Sequence, residues 1–397
     1  MENSHYNFPL GDLNAALEVK FDLVQSFERE LSKSKKERAK KDYHGRKLPF
    51  PHCGMTVHPA IGCSSSCLYC YVPSHRVRVT PLSGKEMAYS LLLSPFFFPG
   101  QHGTFLALGS ITDPFLPNVR ERTFEIIKEI QVQLGNPLQI ATKQILPISA
   151  FKDLANEFFS RMCLLVSLSS LESAKELEPH NAPAEDRLEF INAIRRAGGS
   201  PFIFLRPIIP GVTNKELNKL IAAFKESSNC GVVLGSLRLN QTTLELLKIK
   251  IDISEITKRL PSPNLGKGFQ YIYTNDLKQE FSDQIRAAGL SPFHSACCAN
   301  AASHRLPCVN ACWKNSRICT NCWNQCSNHK MPEIPDSTEI QRFIRRCLGK
   351  QAFAMVDQEK RMVYLQIKAS PAVRMGAKRT LETLLRAQVV VSPKKLE

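Results

Sequence analysis

From residue 55 onward the chain alternates short apolar, β-like runs with stretches of helical period, and this alternation constrains the fold more than any other feature. The candidate strands are Met55–Ile61, Thr104–Gly109, Leu138–Thr142, Cys163–Leu168, Phe202–Leu205 and Val232–Leu237. Helical patterns lie between them, near 85–93, 118–134, 147–160, 183–197 and 214–226. Strands that alternate with helices imply parallel pairing, because each crossover must carry the chain back over a face of the sheet. The expected fold class is therefore α/β, a partial (β/α)6 barrel in preference to an open doubly wound sheet. No Gly-x-Gly-x-x-Gly and no P-loop follows any strand, so the usual nucleotide-fold signatures are missing.

The pattern over 183–197 carries its own end signals. Asn181 is placed to cap it, Pro183 suits the first turn, and Glu185 and Asp186 suit the positive end of the dipole. Arg195 and Arg196 sit at the other end, before Gly198-Gly199. Ahead of the barrel, Leu10, Leu13, Leu17, Phe21, Val24 and Leu31 recur at three- and four-residue steps, an amphipathic helix expected to pack on the main body. The basic stretch Lys33 to Lys47 follows as a link. The expected divisions are 1–50 (N-terminal helix and basic linker), 51–245 (core barrel), 246–335 (an extension with a Cys-rich segment) and 336–397 (a basic helical or irregular tail).

Between the first strand and the second helical pattern stand Cys63, Cys67 and Cys70, in a C-x3-C-x2-C array with Tyr69 before the last cysteine. Three thiolates can hold three corners of a four-iron cluster and leave the fourth iron open to a substrate or a second cofactor. A zinc site would more usually bring its cysteines as two separated pairs. The candidate strand ends nearby are polar: Gly109, Ser110 and Thr112 after the second, Thr142 and Lys143 after the third, Ser167 and Ser169 at the fourth, Arg206 after the fifth. In parallel barrels such ends converge on one face, where reactive groups gather.

The array resembles the signature of the radical S-adenosylmethionine (SAM) superfamily. Thr112-Asp113-Pro114-Phe115, the run Leu177 to Arg187, and Arg206-Pro-Ile-Ile-Pro-Gly211 are similar to the spore photoproduct lyase-like branch, over residues 50 to 240. The resemblance implies a [4Fe-4S] cluster on Cys63, Cys67 and Cys70, and SAM held by Tyr69, Gly109, Ser110, Thr112, Thr142, Lys143, Ser167, Ser169 and Arg206. It also implies a flavodoxin- or ferredoxin-type electron donor and a 5′-deoxyadenosyl radical that abstracts hydrogen from a substrate. The branch's hydrogen-donor cysteine is replaced here, since the chain reads Ser110-Ile111-Thr112 at that place. The resemblance therefore speaks for the cofactor chemistry more than for dimer repair.

A second field holds Cys297, Cys298, Cys308, Cys312, Cys319, Cys322 and Cys326, with His294, His304 and His329 close by. The residues between are polar, so the segment needs a metal as its nucleus; zinc and an auxiliary iron–sulfur cluster both remain open. Cys163, Cys230 and Cys347 read as small hydrophobes, and Cys53 as structural or as a radical-quenching thiol. Fourteen cysteines without a visible secretory signal fit a reducing cytoplasm, and no apolar run is long enough to span a bilayer. The net charge of +16 favours a polyanionic partner, so nucleic acid is the substrate class named first. A protein, peptide or small-metabolite substrate is the second reading, and a non-catalytic, zinc-stabilised nucleic-acid-binding protein the third.

Overall fold

The computed structural model describes residues 7–45, 54–72, 76–227, 231–309 and 331–392. Its main sheet has seven parallel strands in the order β1-β4-β5-β6-β7-β8-β11. They are β1 (Met55–Thr56), β4 (Leu106–Leu108), β5 (Leu138–Thr142), β6 (Cys163–Ser167), β7 (Ser200–Ile208), β8 (Val232–Ser236) and β11 (Pro292–Phe293). Two short antiparallel ribbons flank it, β2 (Ala60–Ile61) with β3 (Arg78–Val79), and β9 (Arg238–Leu239) with β10 (Gln270–Tyr271). The order of strands follows the chain, as expected of a partial barrel.

Both faces of the sheet are covered, which is why its strands read as continuous apolar runs. On one face Leu106, Ile140, Leu164, Val166, Ile203 and Leu234 pack against Ile127, Ile191, Leu220, Phe224 and Phe281 from the crossover helices. The alternate residues Cys163, Leu165, Phe202, Phe204 and Val233 point the other way. They meet Phe293 and a single helix, Ala296–Ser303, through its Ala296, Cys298 and Ala299. Small side chains let that helix lie close against the sheet.

A second core lies at the chain's two ends. The helices Ser337–Leu348 and Pro371–Leu385 pack Phe343, Leu381 and Leu384 on one face of a three-stranded sheet. Its strands are β12 (Ala352–Asp357), β13 (Met362–Ile367) and β14 (Gln388–Ser392), the first pair antiparallel and the second parallel. Leu13, Ala16 and Leu17 of the N-terminal helix Leu13–Glu30 complete this core, whereas Leu23 and Phe27 of the same helix belong to the main one.

Several expectations are corrected. The six candidate strands are joined by a seventh, β11, supplied from beyond residue 245. The first candidate, Met55–Ile61, divides into β1 and β2 in different sheets, with Pro59 between them. The basic link is in part a helix, Lys33–Lys41, whose Arg38 pairs with buried Glu86 at 2.7 Å. The stretch read as a basic helical or irregular tail holds the helices Ser337–Leu348 and Pro371–Leu385, as its helical part anticipated, and also the three-stranded sheet. On the N-terminal helix Phe21 is exposed, and Lys20 is buried in its stead. Cys53, Cys230, Cys312, Cys319, Cys322, Cys326 and His329 lie outside the described residues.

Candidate functional site

The loop Gly62–Cys70 leaves β2 and runs past the C-terminal ends of the strands. It is strapped down on two sides. Gly62 N–H donates to Ile111 O (3.1 Å), and Tyr71 Oη donates to Ser110 O (2.8 Å), tying it to the loop after β4. Leu68 N–H donates to Leu177 O (3.0 Å), tying it to the segment after β6. Cys63 packs with Leu116 and Val119, while Cys67 and Tyr69 pack with Leu177, Ile209 and Val212.

Tyr69 explains the aromatic before the last cysteine. Its phenol donates to Glu178 Oε1, and the other oxygen of that carboxylate faces Arg187 Nη1 at 2.7 Å. Arg187 also donates to Ser167 O (2.7 Å), at the end of β6. All three side chains are buried, Arg187 to 1% and Glu178 to 3% exposure. Burial first, and then the Glu178 charge, push the Tyr69 phenol well above its ordinary range, so it stays a donor. A buried ion pair is stable only when its remaining valences are met, and the phenol and the Ser167 carbonyl meet them.

Burial pushes the Cys67 thiol up to about 12 against the opposing pull of Lys143, and raises Cys70 as well. Cys70 feels the charge of Cys63, and Cys67 that of Cys70, so the three thiols form one electrostatic group. Asn181 Nδ2 donates to Cys67 Sγ at 3.3 Å, while its Oδ1 accepts from Gln144 Nε2 at 3.3 Å. Asn181 is thus no helix cap: the helix Ala184–Arg196 has Pro183 at its N-cap and no side-chain cap. Burial works to lower Lys143, but Cys67, Glu178 and Cys70 outweigh it and hold the ammonium above its usual range. Its Nζ also lies 5.6 Å from the centre of the Tyr69 ring.

The strand ends are braced by acids that composition did not single out. Asp113 accepts from Thr142 Oγ1 (2.8 Å), Lys143 N–H (2.7 Å) and Phe115 N–H (3.0 Å), joining the loop after β4 to the end of β5. Burial raises its pKa in spite of these donors. Glu216 accepts from Ser170 Oγ (2.8 Å), Leu171 N–H (2.6 Å) and Glu172 N–H (3.1 Å), fixing the turn after β6. Thr142, Ser167 and Ser169 are buried within these braces. The hydroxyls of Ser110 and Ser169 are buried without a hydrogen-bond partner among the described residues. Thr112 is buried beside Asp113. Gly109, at φ +96°, would put a Cβ 2.2 Å from Ala141 O, so close approach to the neighbouring strand demands the glycine.

Of the residues expected to serve one cofactor, Tyr69 and Lys143 stand with Cys67 and Cys70. Arg206 lies 5.6 Å over the Phe204 ring near the end of β7. Sequence reasoning missed Asp113, Glu178, Arg187 and Glu216 as site residues. Asp113, Glu178 and Arg187 fall inside motif runs quoted above, which was the signal available; Glu216 had none.

Of the second cysteine field, Cys297 and Cys298 lie buried in the first turn of Ala296–Ser303, each Sγ 3.0 Å from Ser295 Oγ. Cys308 is buried too, and His304 Nε2 accepts from Leu138 N–H at 3.4 Å. Among the described residues no three His, Cys, Asp or Glu side chains converge as ligands of a single ion would. Thiolates that each hold a different iron of a cluster need not converge in that way. Among the described residues, no helix is long and apolar enough to cross a membrane.

No family model matches the chain. An uncharacterized protein of Acidianus two-tailed virus, ORF301, is 26% identical over 225 residues, covering 50% of this chain and 74% of that one. An uncharacterized protein of Mycobacterium tuberculosis (strain ATCC 25618 / H37Rv), Rv2578c, is 25% identical over 213 residues, 49% of this chain and 61% of its own length. Among solved structures, spore photoproduct lyase complexed with dinucleoside spore photoproduct is similar at a TM-score of 0.48 and 17% identity, covering 62% of this chain and 79% of the lyase. Streptococcus suis SuiB bound to S-adenosylmethionine is similar at 0.37 and 15%, covering 62% and 51%.

Proposed function

We propose that the protein is a radical SAM enzyme, with a four-iron cluster on Cys63, Cys67 and Cys70. One observation carries the reading: two buried thiols and one half-buried thiol, with no fourth Cys, His, Asp or Glu in the loop Gly62–Cys70, lie at the C-terminal edge of a parallel sheet, strapped at both sides and faced by Asn181 and Lys143. When bound, the cluster and SAM would supply reductive cleavage of the sulfonium and a 5′-deoxyadenosyl radical. The donor set fits such a group, since soft thiolates are the ligands iron–sulfur clusters use.

The chain's own residues have separable tasks. Tyr69, held by Glu178 and Arg187, fixes the loop between Cys67 and Cys70. Asn181 donates to the Cys67 sulfur, an interaction that tunes a thiolate ligand. Lys143 is a cation that acts directly on Cys67 and Cys70 and suits a carboxylate of SAM, and the hydroxyls of Ser110 and Ser169, without partners among the described residues, suit a ribose or an amino acid moiety. A reductant of the flavodoxin or ferredoxin type belongs to the same proposal, as does a polyanionic substrate, supported by the net charge of +16.

Anaerobic reconstitution with iron and sulfide tests the reading. The expected result is a four-iron absorption band that SAM perturbs, lost in Cys67→Ala, with 5′-deoxyadenosine formed on reduction. Colourless protein carrying stoichiometric zinc and indifferent to SAM would refute it. Affinity for DNA or RNA that falls steeply with salt would support the nucleic-acid substrate, and none at low salt would remove it.

A further inference from the structure

Beside the thiol loop, three cations stand together at the ends of β7 and β8, and none belongs to the thiol group. Arg206 ends its strand with its side chain drawn across Gly235 of β8: a Cβ on that glycine would lie 2.4 Å from Arg206 Cγ. The glycine is the slot through which the guanidinium passes. Arg238, on β9, lies between two tyrosine rings, 5.6 Å from the centre of Tyr71 and 4.8 Å from that of Tyr271. Its Nε is buried and has no hydrogen-bond partner among the described residues. Lys278 projects from the helix Asn275–Ala287, whose lead-in residue Thr274 bonds Ser236 at the end of β8 (2.8 Å). Burial first, and then the charge of Arg206, pull Lys278 below the ordinary lysine range.

Among the described residues no carboxylate comes within ion-pair distance of Arg206, Arg238 or Lys278. Three other buried cations are compensated: Arg187 has Glu178, Lys143 has Glu178 and the thiolates, and Lys20 donates to the carbonyls of Ser94 and Phe97. Tyr71, which follows Cys70 directly, brings the thiol loop against this group, with Arg238 5.6 Å from the centre of its ring. Like charges held half-buried without a counter-charge repel, and an anion between them would relieve that repulsion.

We propose that Arg206, Arg238 and Lys278 form an oxyanion-binding subsite for a phosphate group of the substrate, next to the thiol loop. Three positive charges match the double charge of a phosphate better than the single charge of a carboxylate. Two guanidinium forks and one ammonium are the donor set that binds phosphate oxygens, the forks for direction and the ammonium as a point charge. Arg238, flanked by the rings of Tyr71 and Tyr271, is restrained before binding, so less freedom is lost when an anion arrives. The assignment rests on the enzymatic reading for its purpose, because it takes this sheet edge as the place where substrate meets cofactor. Phosphate binding as such does not require the cluster.

Calorimetric titration of the full-length, anaerobically reconstituted protein with inorganic pyrophosphate tests it. The expected result is one site per chain, weakened tenfold or more in Arg238→Gln and again in Lys278→Gln, and unchanged in Lys368→Gln, just past the end of β13. Matching circular dichroism spectra establish that all four proteins are folded. Equal affinity across the four, or no binding to the unaltered protein, would overturn the assignment. A second titration in saturating SAM separates the sources of the oxyanion. Affinity retained supports a substrate phosphate; competition by SAM would give these cations to the cofactor's carboxylate and sink the proposal. The iron absorption of each sample is recorded alongside, so that lost pyrophosphate binding with an intact band indicts the subsite alone, and a missing band in the unaltered protein indicts the cofactor reading alone.

Discussion

At the scale of single residues, the thiol loop depends on a buried chain of donors and acceptors running Tyr69, Glu178, Arg187, Ser167. Its members are not equivalent. Glu178→Gln leaves the Arg187 guanidinium buried without its counter-charge, and should cost about 3–5 kcal/mol in urea unfolding. Tyr69→Phe removes one donor from a carboxylate that keeps Arg187, and should cost about 1.5–3 kcal/mol. Equal losses would mean that the ion pair is not what holds the segment after β6. The three cysteines were legible because their spacing is local. Glu178 and Arg187 could be seen only as letters in a motif run, since nothing along the chain announces that 109 residues separate a phenol from its acceptor. Asn181 was misassigned for a related reason: a polar residue just before a helix reads as a cap, and its turn toward Cys67 is a tertiary choice.

At the scale of elements, the parallel strands were readable because burial on both faces writes an unbroken apolar run, and the crossover helices because their stripes have one partner. The N-terminal helix has two partners, so its stripe turns partway along. That turn buries Lys20 and leaves Phe21 outside. The three-stranded sheet escaped notice since Phe353 and Met355 are apolar on its open face, which blurs the alternation of β12. Lys20 donates to Ser94 O (2.6 Å) and Phe97 O (2.8 Å), closing the C-terminus of the helix Gly84–Leu93. Burial brings its pKa from 10.5 down to about 8, and Cys347 is the titratable group that faces it. Between those values the unfolded chain holds a proton that the native state has released, so this group makes stability rise with pH. Below the lower value the penalty is constant. At about 1.4 kcal/mol per unit the gain is at most about 3 kcal/mol, since two carbonyls at a helix end favour the cation. Urea unfolding of the unaltered protein and Lys20→Met at pH 7.5 and pH 10 measures it. The difference between the two should widen toward pH 10 in favour of the unaltered protein, and a constant difference would show that Lys20 does not titrate there.

At the scale of the whole molecule, the first helix joins the chain's two cores. Its early residues, Leu13, Ala16 and Leu17, lie in the core beneath the three-stranded sheet, and its later ones, Leu23, Phe27 and the following Leu31, lie in the core of the main sheet. Phe98 reaches the same way from the main sheet's side, packing at a tilt against Phe343 with ring centres 5.5 Å apart. Two hydrophobic cores that share a helix cannot open independently unless that helix is released from one of them. Leu17→Ala deletes apolar volume at the shared seam and should cost about 2–5 kcal/mol. Its distinguishing effect is on cooperativity. The unaltered protein should melt in one calorimetric transition, and Leu17→Ala should divide it, with the three-stranded unit leaving first and the thiol loop's iron retained through that first step. The iron is the useful reporter, because the straps on Gly62, Leu68 and Tyr71 all come from the main sheet's loops. One transition at a lowered temperature in Leu17→Ala would mean that the seam transmits strain to both cores, and iron lost in the first of two transitions would mean that the thiol loop leans on the C-terminal unit in a way these contacts do not provide.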